Sequence, residues 1–301
     1  MYKILMIVNP KAGRAKPDKY VPKITQNFKN MDYDVDVKYT TIENNATNIV
    51  KNYNKEYDVL IVYGGDGTLN EAIQGLYETQ KKPYVGFIPF GTTNDFAKSL
   101  AVSLDKLNIS KNIEKYTLKK VDTGIISNNI FNYVVSFGMF SKTSYATSRK
   151  MKNKFGRIAY ILNGIKEVFN YKIYDLKIES DDVSLEGEFI YGSISNSKYI
   201  GGFNLFKKQE VKMDDGEFEA LFVRKPKNSI EKFNLIIKIL SGHLDDKNIS
   251  YFKTSKIKLI SSQPLELSID GEYGGSRKEI EISNIKQNVE YILPDKNAVT
   301  V

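Results

Sequence analysis

The sequence predicts a doubly wound α/β domain followed by a mainly antiparallel β domain. Three observations predict it. Strand, loop and helix signals alternate four times in roughly the first 100 residues, the pattern of a parallel sheet covered on both faces. Beyond about Val121, strand signals follow one another with few helices between them. The chain has 301 residues, more than one hydrophobic core usually serves, so two domains are expected.

Tyr2–Val8 is a near-continuous aliphatic run suited to a parallel strand buried on both sides, and Asn9, Pro10, Lys11, Ala12, Gly13 and Arg14 break it. A helix is expected near Val21–Asn30, a strand over Asp34–Tyr39, and a helix over about Asn45–Tyr53 that Glu43 or Asn44 would cap. Asp58–Tyr63 (DVLIVY) is the third strand and runs straight into Gly64, Gly65, Asp66 and Gly67. Thr68 then opens an amphipathic helix with Leu69, Ala72, Ile73 and Leu76 at helical spacing. Val85–Pro89 is a fourth short strand, followed by the segment FGTTNDFA and another helix start. The ligand of such a domain sits at the carboxyl ends of its strands.

Further strands are expected over Lys120–Ile126, Phe131–Phe137, Asp175–Ser180, Glu188–Ser195, Glu217–Val223, Ser255–Ile260, Leu265–Ile269, Lys278–Ile282 and Glu290–Leu293. Helices over Arg157–Tyr171 and Ile230–Leu244 interrupt them. The junction near 115–125 has no flexible spacer, so the halves are expected to pack closely around a cleft. The expected domains are 1–120 and 121–287, with the tail 288–301 returning to the first.

With no Cys and a single His, His243, the sequence excludes disulfides, thiolate nucleophiles, Cys-ligated metals, a Ser-His-Asp triad and His-rich metal sites. His243 itself reads as a helix C-terminal residue without chemistry. Carboxylates must carry any acid-base work. The net charge of +8 is spread over both halves and favours anionic partners such as nucleotides or acidic lipid surfaces, with no sign of nucleic-acid binding. No apolar run reaches the ~18 residues needed to span a bilayer, and the start does not read as a secretory signal. A cytoplasmic protein with peripheral membrane contact is the expectation.

Gly64-Gly65-Asp66-Gly67-Thr68 follows a buried strand and opens a helix, an arrangement that suits a phosphate because bare glycine backbone and a helix N-terminus offer N–H groups and positive potential. A strand-to-helix turn needs fewer glycines than this. An acid beside phosphates calls for a cation between them, so Asp66 suggests Mg²⁺, directly or through water. No GxxxxGK[ST] is present, the third glycine of the dinucleotide fingerprint is missing, and protein-kinase signatures are absent.

The segments VNPKAG at 8–13, GGDGTLNEAIQGL at 64–76, GFIPFGTTNDFA at 86–97, VDTG at 121–124, MDDGEFE at 213–219 and IDGE at 269–272 together resemble the soluble bacterial diacylglycerol kinase family, lipid kinases related to sphingosine and ceramide kinases. The resemblance covers nearly the whole chain in the right order. GGDG alone is shared with NAD kinases and 6-phosphofructokinases; IPFGTTNDFA is what resembles the lipid kinases. The implied fold is a three-layer α/β domain like that of NAD kinase and phosphofructokinase, joined to an antiparallel β-sandwich.

The resemblance also implies roles. ATP would be lined by Asn9, Gly13, Thr40, Gly64, Gly65, Asp66, Gly67, Thr68, Leu69, Asn70 and Thr92. Asp66, Asp95 and Asp122 would form the carboxylate set around Mg²⁺ and ordered water. By themselves Asp95 reads as a helix cap and Asp122 as a turn or edge charge. Asp270 would be the general base that takes the proton of a lipid hydroxyl, with Glu272 assisting, although Asp-Gly after alternating apolar residues is by itself a hairpin turn. Lys212, Asp215 and Glu217 resemble the family's structural Mg²⁺ site, through the Asp215 side chain and backbone carbonyls; a metal-free Asp-Asp-Gly turn is the equal alternative.

Six basic residues and no acid lie between Lys142 and Arg157, ahead of an apolar helix face, so this segment is an expected contact with anionic lipid at the membrane's inner face. A homodimer is a further expectation from the family. The sequence-level conclusion is an ATP- and Mg²⁺-dependent lipid kinase, with diacylglycerol as the leading acceptor. Its rivals are a kinase of a soluble acceptor, NAD or a sugar phosphate, and a lipid- or nucleotide-binding regulator without turnover.

Overall fold

The computed structural model describes residues 2–13, 17–103, 105–139 and 172–294. The expected basic segment Lys142–Arg157 and the expected helix Arg157–Tyr171 lie outside the described residues. The chain divides into two units, the first made of Met1–Val121 and Gln287–Val301, the second of Asp122–Lys286.

In the first unit β1 (Lys3–Val8), α1 (Val21–Asn30), β2 (Asp34–Tyr39), α2 (Ala46–Asn52), β3 (Val59–Gly64), α3 (Asp66–Thr79), β4 (Tyr84–Pro89) and the short helices α4 (Asp95–Ser99) and α5 (Asn108–Asn112) alternate along the chain. The four strands are parallel in the order β2, β1, β3, β4. Tyr291, in the returning C-terminal segment, adds a parallel partner to Val85 of β4. Ile4, Met6 and Val8 of β1 alternate onto the face covered by Val21, Ile24 and Phe28 of α1, by Ile109 of α5 and by Ile113 just after it. Leu5, Ile7, Leu60 and Val62 are equally buried and point to the other face, because successive strand residues alternate. Both faces being covered explains the unbroken aliphatic runs.

Two local expectations are corrected. Asn45, not Glu43 or Asn44, caps α2, its side chain accepting the Asn48 N–H. The helix after the third strand begins at Asp66 rather than Thr68, with Gly65 as the residue before it, so the acid lies in the first turn where helix-end potential favours it.

The second unit takes over within β5 (Tyr116–Ile126) and continues through β6 (Asn129–Phe131), β7 (Val134–Gly138), β8 (Tyr174–Ser180), β9 (Ser184–Ser195), the two-residue strands β10 (Tyr199–Ile200) and β11 (Phe203–Asn204), β12 (Phe218–Arg224), α6 (Ser229–Ser241), β13 (Ile249–Thr254), β14 (Lys256–Ile269) and β15 (Glu272–Pro294), whose last part, from Gln287 on, belongs to the first unit. The main pairings within this unit are antiparallel: β13–β12–β9–β7–β14–β15, with β8 closing against the far ends of β9 and β14. Long β9 and β14 thus serve both layers of a sandwich. The expected strands 255–260 and 265–269 are one element, β14; its pairing with β15 shifts register between Ile260 and Leu265, an irregularity that mimics a break in the sequence pattern. Phe218, Ala220 and Phe222 enter the sandwich core, while Leu221 and Val223 face a second cluster with Leu235 and Ile239 of α6.

Candidate active site

Three loops converge at the carboxyl ends of β1, β3 and β4. The turn after β1 is anchored by the Asn9 N–H to the Tyr63 carbonyl at 2.9 Å, and the Asn9 side chain donates to Thr68 Oγ1 at 2.8 Å. Gly13 has φ +62, and a Cβ there would stand 2.0 Å from the Phe90 carbonyl oxygen. Gly65 and Gly91 meet backbone to backbone: a Cβ on Gly91 would lie 3.1 Å from Gly65 Cα and 2.7 Å from Asn94 Oδ1. Side chains are excluded here by geometry, which leaves a cradle of bare backbone at the N-terminus of the 14-residue helix α3.

Asp66 stands in the first turn of α3 and its Oδ2 accepts the Asp95 N–H at 3.0 Å. Asp95 itself is buried, with Lys98 Nζ at 3.6 Å from its Oδ1. Thr40 follows β2 and donates its N–H to Val8, beside Asn9. Thr92 is exposed on the loop after β4. Thr68 and Leu69 are buried; Leu69 turns its side chain into the core, leaving only backbone for a ligand. Gly67 and Asn70 continue the first turns of α3. The donor set fits nucleotide phosphates and their Mg²⁺: a cradle that a Cβ would fill, with a hard carboxylate at its edge.

Asp122 lies in the second unit and is fully buried. Its Oδ2 accepts the Gly216 N–H at 2.6 Å and its own N–H donates to Met213 at 2.7 Å, so it fastens the 213–216 turn. Within that turn Asp215 Oδ1 accepts the Glu217 N–H at 3.1 Å and Oδ2 binds Lys253 Nζ at 2.9 Å. Lys212 is exposed and pairs with Glu210 at 3.5 Å. A divalent cation at Asp215 would have to displace the Lys253 ammonium. Among the described residues no group of three or more His, Cys, Asp or Glu gathers into a metal cluster.

Sequence reasoning missed Glu219 and Lys253. Glu219 is 1% exposed, its Oε1 lies 3.7 Å from Lys253 Nζ, and its Oε2 has no hydrogen-bond partner among the described residues. Burial pushes its carboxyl up to about 8, against the pull of Lys253. Burial pulls Lys253 down, but its bond to Asp215 and the nearby acids outweigh this and hold it above its ordinary value. One acid among many in a strand pattern carries no signal for this; only its pairing does.

Asp270 and Gly271, with φ +46 and +83, form the two-residue turn between β14 and β15, where Ile269 pairs with Glu272. The hairpin reading is therefore right for the backbone. The side chain does more: Oδ2 accepts the Asn132 N–H at 2.7 Å, and Oδ1 those of Tyr133 and Val134 at 3.0 and 2.9 Å. Three consecutive amides fix a negative charge in a nearly buried position. Glu272 is exposed beside it. His243 lies just beyond α6, its N–H bonded to Lys238 and its ring against Ser241 and Lys208, a helix-ending arrangement.

Comparison with known proteins extends this geometry. Residues 3–126 match the diacylglycerol kinase catalytic domain, and residues 133–282 match the YegS C-terminal NAD kinase beta sandwich-like domain. The diacylglycerol kinase of Bacillus subtilis (strain 168) is 29% identical over 301 residues, covering 99% of this chain and 98% of that protein. The diacylglycerol kinase of Staphylococcus haemolyticus (strain JCSC1435) is 30% identical, covering 96% and 87%. A crystal structure of a Bacillus anthracis str. Sterne chain superposes with a TM-score of 0.82 over 99% of both chains at 28% identity.

Proposed function

For a chain that belongs to the bacterial diacylglycerol kinase family and is a lipid kinase, we propose transfer of the γ-phosphate of ATP to the hydroxyl of diacylglycerol, with Mg²⁺, giving phosphatidic acid. The observation that carries the reading is the glycine cradle of Gly13, Gly64, Gly65 and Gly91 at the start of α3, with Asp66 at its edge. Backbone N–H groups there would bind the phosphates, and Asn9, Thr40 and Thr92 would border the nucleotide. Asp66 would hold Mg²⁺ directly or through water, and Asp95, whose N–H grips Asp66, would keep it oriented. The ion supplies charge neutralisation of the transferring phosphoryl group.

Asp270 would accept the proton of the attacking hydroxyl as the new O–P bond forms and the bond to the β-phosphate oxygen breaks, releasing ADP. The amides of 132–134 orient that carboxylate, and Glu272 stands two residues on. Among the described residues no helix is long and apolar enough to cross a membrane, so a bilayer acceptor would be reached by peripheral contact, to which the Lys142–Arg157 segment would contribute from the cytoplasmic side.

The test is transfer from labelled ATP into diacylglycerol, phosphatidylglycerol or sphingosine in mixed micelles, with NAD in parallel, for wild type and Asp270→Asn. Phosphatidic acid made by the wild type and lost in the variant is the expected result. Transfer to NAD alone would overturn the lipid acceptor, and transfer to another lipid would replace diacylglycerol.

A further inference from the structure

Ile230, Phe233 and Ile237 stand 75%, 60% and 49% exposed on α6. At spacing i, i+3 and i+7 they form one line along the helix, opposite the side that carries Leu235 and Ile239 into the core. Three of the nine large apolar side chains exposed among the described residues thus share one stripe instead of being scattered singly.

Cations rim this stripe. A groove of about 520 Å³ beside it is lined by Lys227, Ile230, Ile237 and Lys238 and by two acids, Glu231 and Asp246. At the other end of the helix Lys207 Nζ lies 3.4 Å from the Leu240 carbonyl, and Lys208 stands beside the His243 ring. The two acids of the groove are engaged: Glu231 accepts the Lys227 N–H and the Asn248 amide and lies 3.9 Å from Lys247 Nζ, and Asp246 holds Lys238 at 2.6 Å. Lys207, Lys208 and Lys227 lie outside these ion pairs, and their positive excess complements an anionic surface.

We propose that this face of α6 docks on an anionic lipid bilayer, its apolar stripe entering the acyl boundary and the rim lysines meeting lipid phosphates. The inference rests on the acceptor being a bilayer lipid. Area favours a bilayer over a second copy of the chain: the three side chains expose on the order of 300–400 Å², below the ~800 Å² per partner of a stable protein interface.

The chain contains no Trp, so Phe233→Trp places a sole tryptophan on the stripe, one that can be excited selectively over the 20 Tyr. The full-length variant, titrated with phosphatidylglycerol-containing vesicles and with pure phosphatidylcholine vesicles, should blue-shift with the former and be quenched by brominated acyl chains. Adding Ile230→Glu and Ile237→Glu should weaken partition by about tenfold or more. Ile237→Trp serves as the reporter if Phe233→Trp does not fold by circular dichroism. Neither ATP nor diacylglycerol is present, so this result is independent of the kinase assay. Unshifted emission from protein that co-sediments with vesicles would place docking elsewhere and overturn the proposal, as would absence of binding. A blue shift that grows with protein concentration without vesicles, with a doubled mass in sedimentation, would identify a second copy as the occupant and equally overturn it.

Discussion

The Asp66 carboxylate receives the backbone N–H of Asp95 at 3.0 Å, so one charge-assisted bond ties the glycine loop after β3 to the loop after β4. Asp66→Asn keeps an acceptor oxygen and loses the charge. It should leave thermal stability within about 1 kcal/mol of wild type while phosphoryl transfer falls by about 10²-fold or more, and Asp66→Ala should add a stability loss of about 1–2 kcal/mol. Equal stability loss in both variants would mean that the bond is merely structural.

Gly13 combines φ +62 with a Cβ position 2.0 Å from the Phe90 carbonyl. Gly13→Ala should cost about 3 kcal/mol or more, since left-handed strain and overpacking act together on a backbone group that cannot swing away. Urea unfolding measures it, and an unchanged midpoint would show that the turn after β1 is not held against β4.

Asp270→Asn keeps the φ +46 turn, which Asn tolerates, but sets an amide –NH₂ against at least one backbone donor. A loss of about 2–4 kcal/mol is expected together with loss of turnover. Glu272→Gln, on an exposed side chain, should change stability by less than about 0.5 kcal/mol. Thermal melts of the two variants side by side read both.

Glu219 sets a pH dependence. Burial raises its folded pKa to about 8 from 4.5, so the folded chain holds a proton that the unfolded chain releases. The stability this contributes is full below about pH 4.5 and is lost as pH rises toward about 8. Lys253, Asp215, Glu217 and Tyr251 are the titratable groups that face it. Glu219→Gln stays neutral throughout, so it should gain a few kcal/mol on wild type at pH 9 and little at pH 5. Parallel denaturation curves at the two pH values would sink the idea if the difference were constant.

Lys253→Met removes the ammonium that Asp215 and Glu219 share. A loss of about 1–3 kcal/mol is expected at neutral pH, discounted because the lysine is partly exposed. The melting temperature of the variant should then rise on adding Mg²⁺ or Ca²⁺, because a carboxylate without its cation becomes a hard-ion ligand. A variant that ignores both ions would show that Lys253 is not standing in for a metal.

Much of the first unit was legible because β1, β3 and β4 are buried on both faces and the main helices have a clear apolar side, so hydrophobic period and glycine punctuation carry the information locally. β1 through β4 are bounded within a residue or so by the pattern itself. The helix start at Asp66 was displaced because Gly and Asp read as turn residues, whereas Gly65 supplies the extended cap and Asp66 already has its place in the helix. The second unit blurred where β14 carries an irregularity and β15 runs on past its expected ends.

By itself the sequence determined the kind of chemistry on offer: no thiol, one histidine, a glycine loop before a helix, and carboxylates as the side chains left for any acid-base work, because these follow from residue types. Tertiary structure decided what each aspartate touches. Asp66 meets Asp95, Asp122 fastens a turn 94 residues away, Asp215 faces an ammonium, and Asp270 is gripped by three amides some 136–138 residues distant. Such partners are set by strand order and register across a sheet, and a carboxylate's role depends on which donors the fold brings within about 3 Å, a distance that no local pattern encodes.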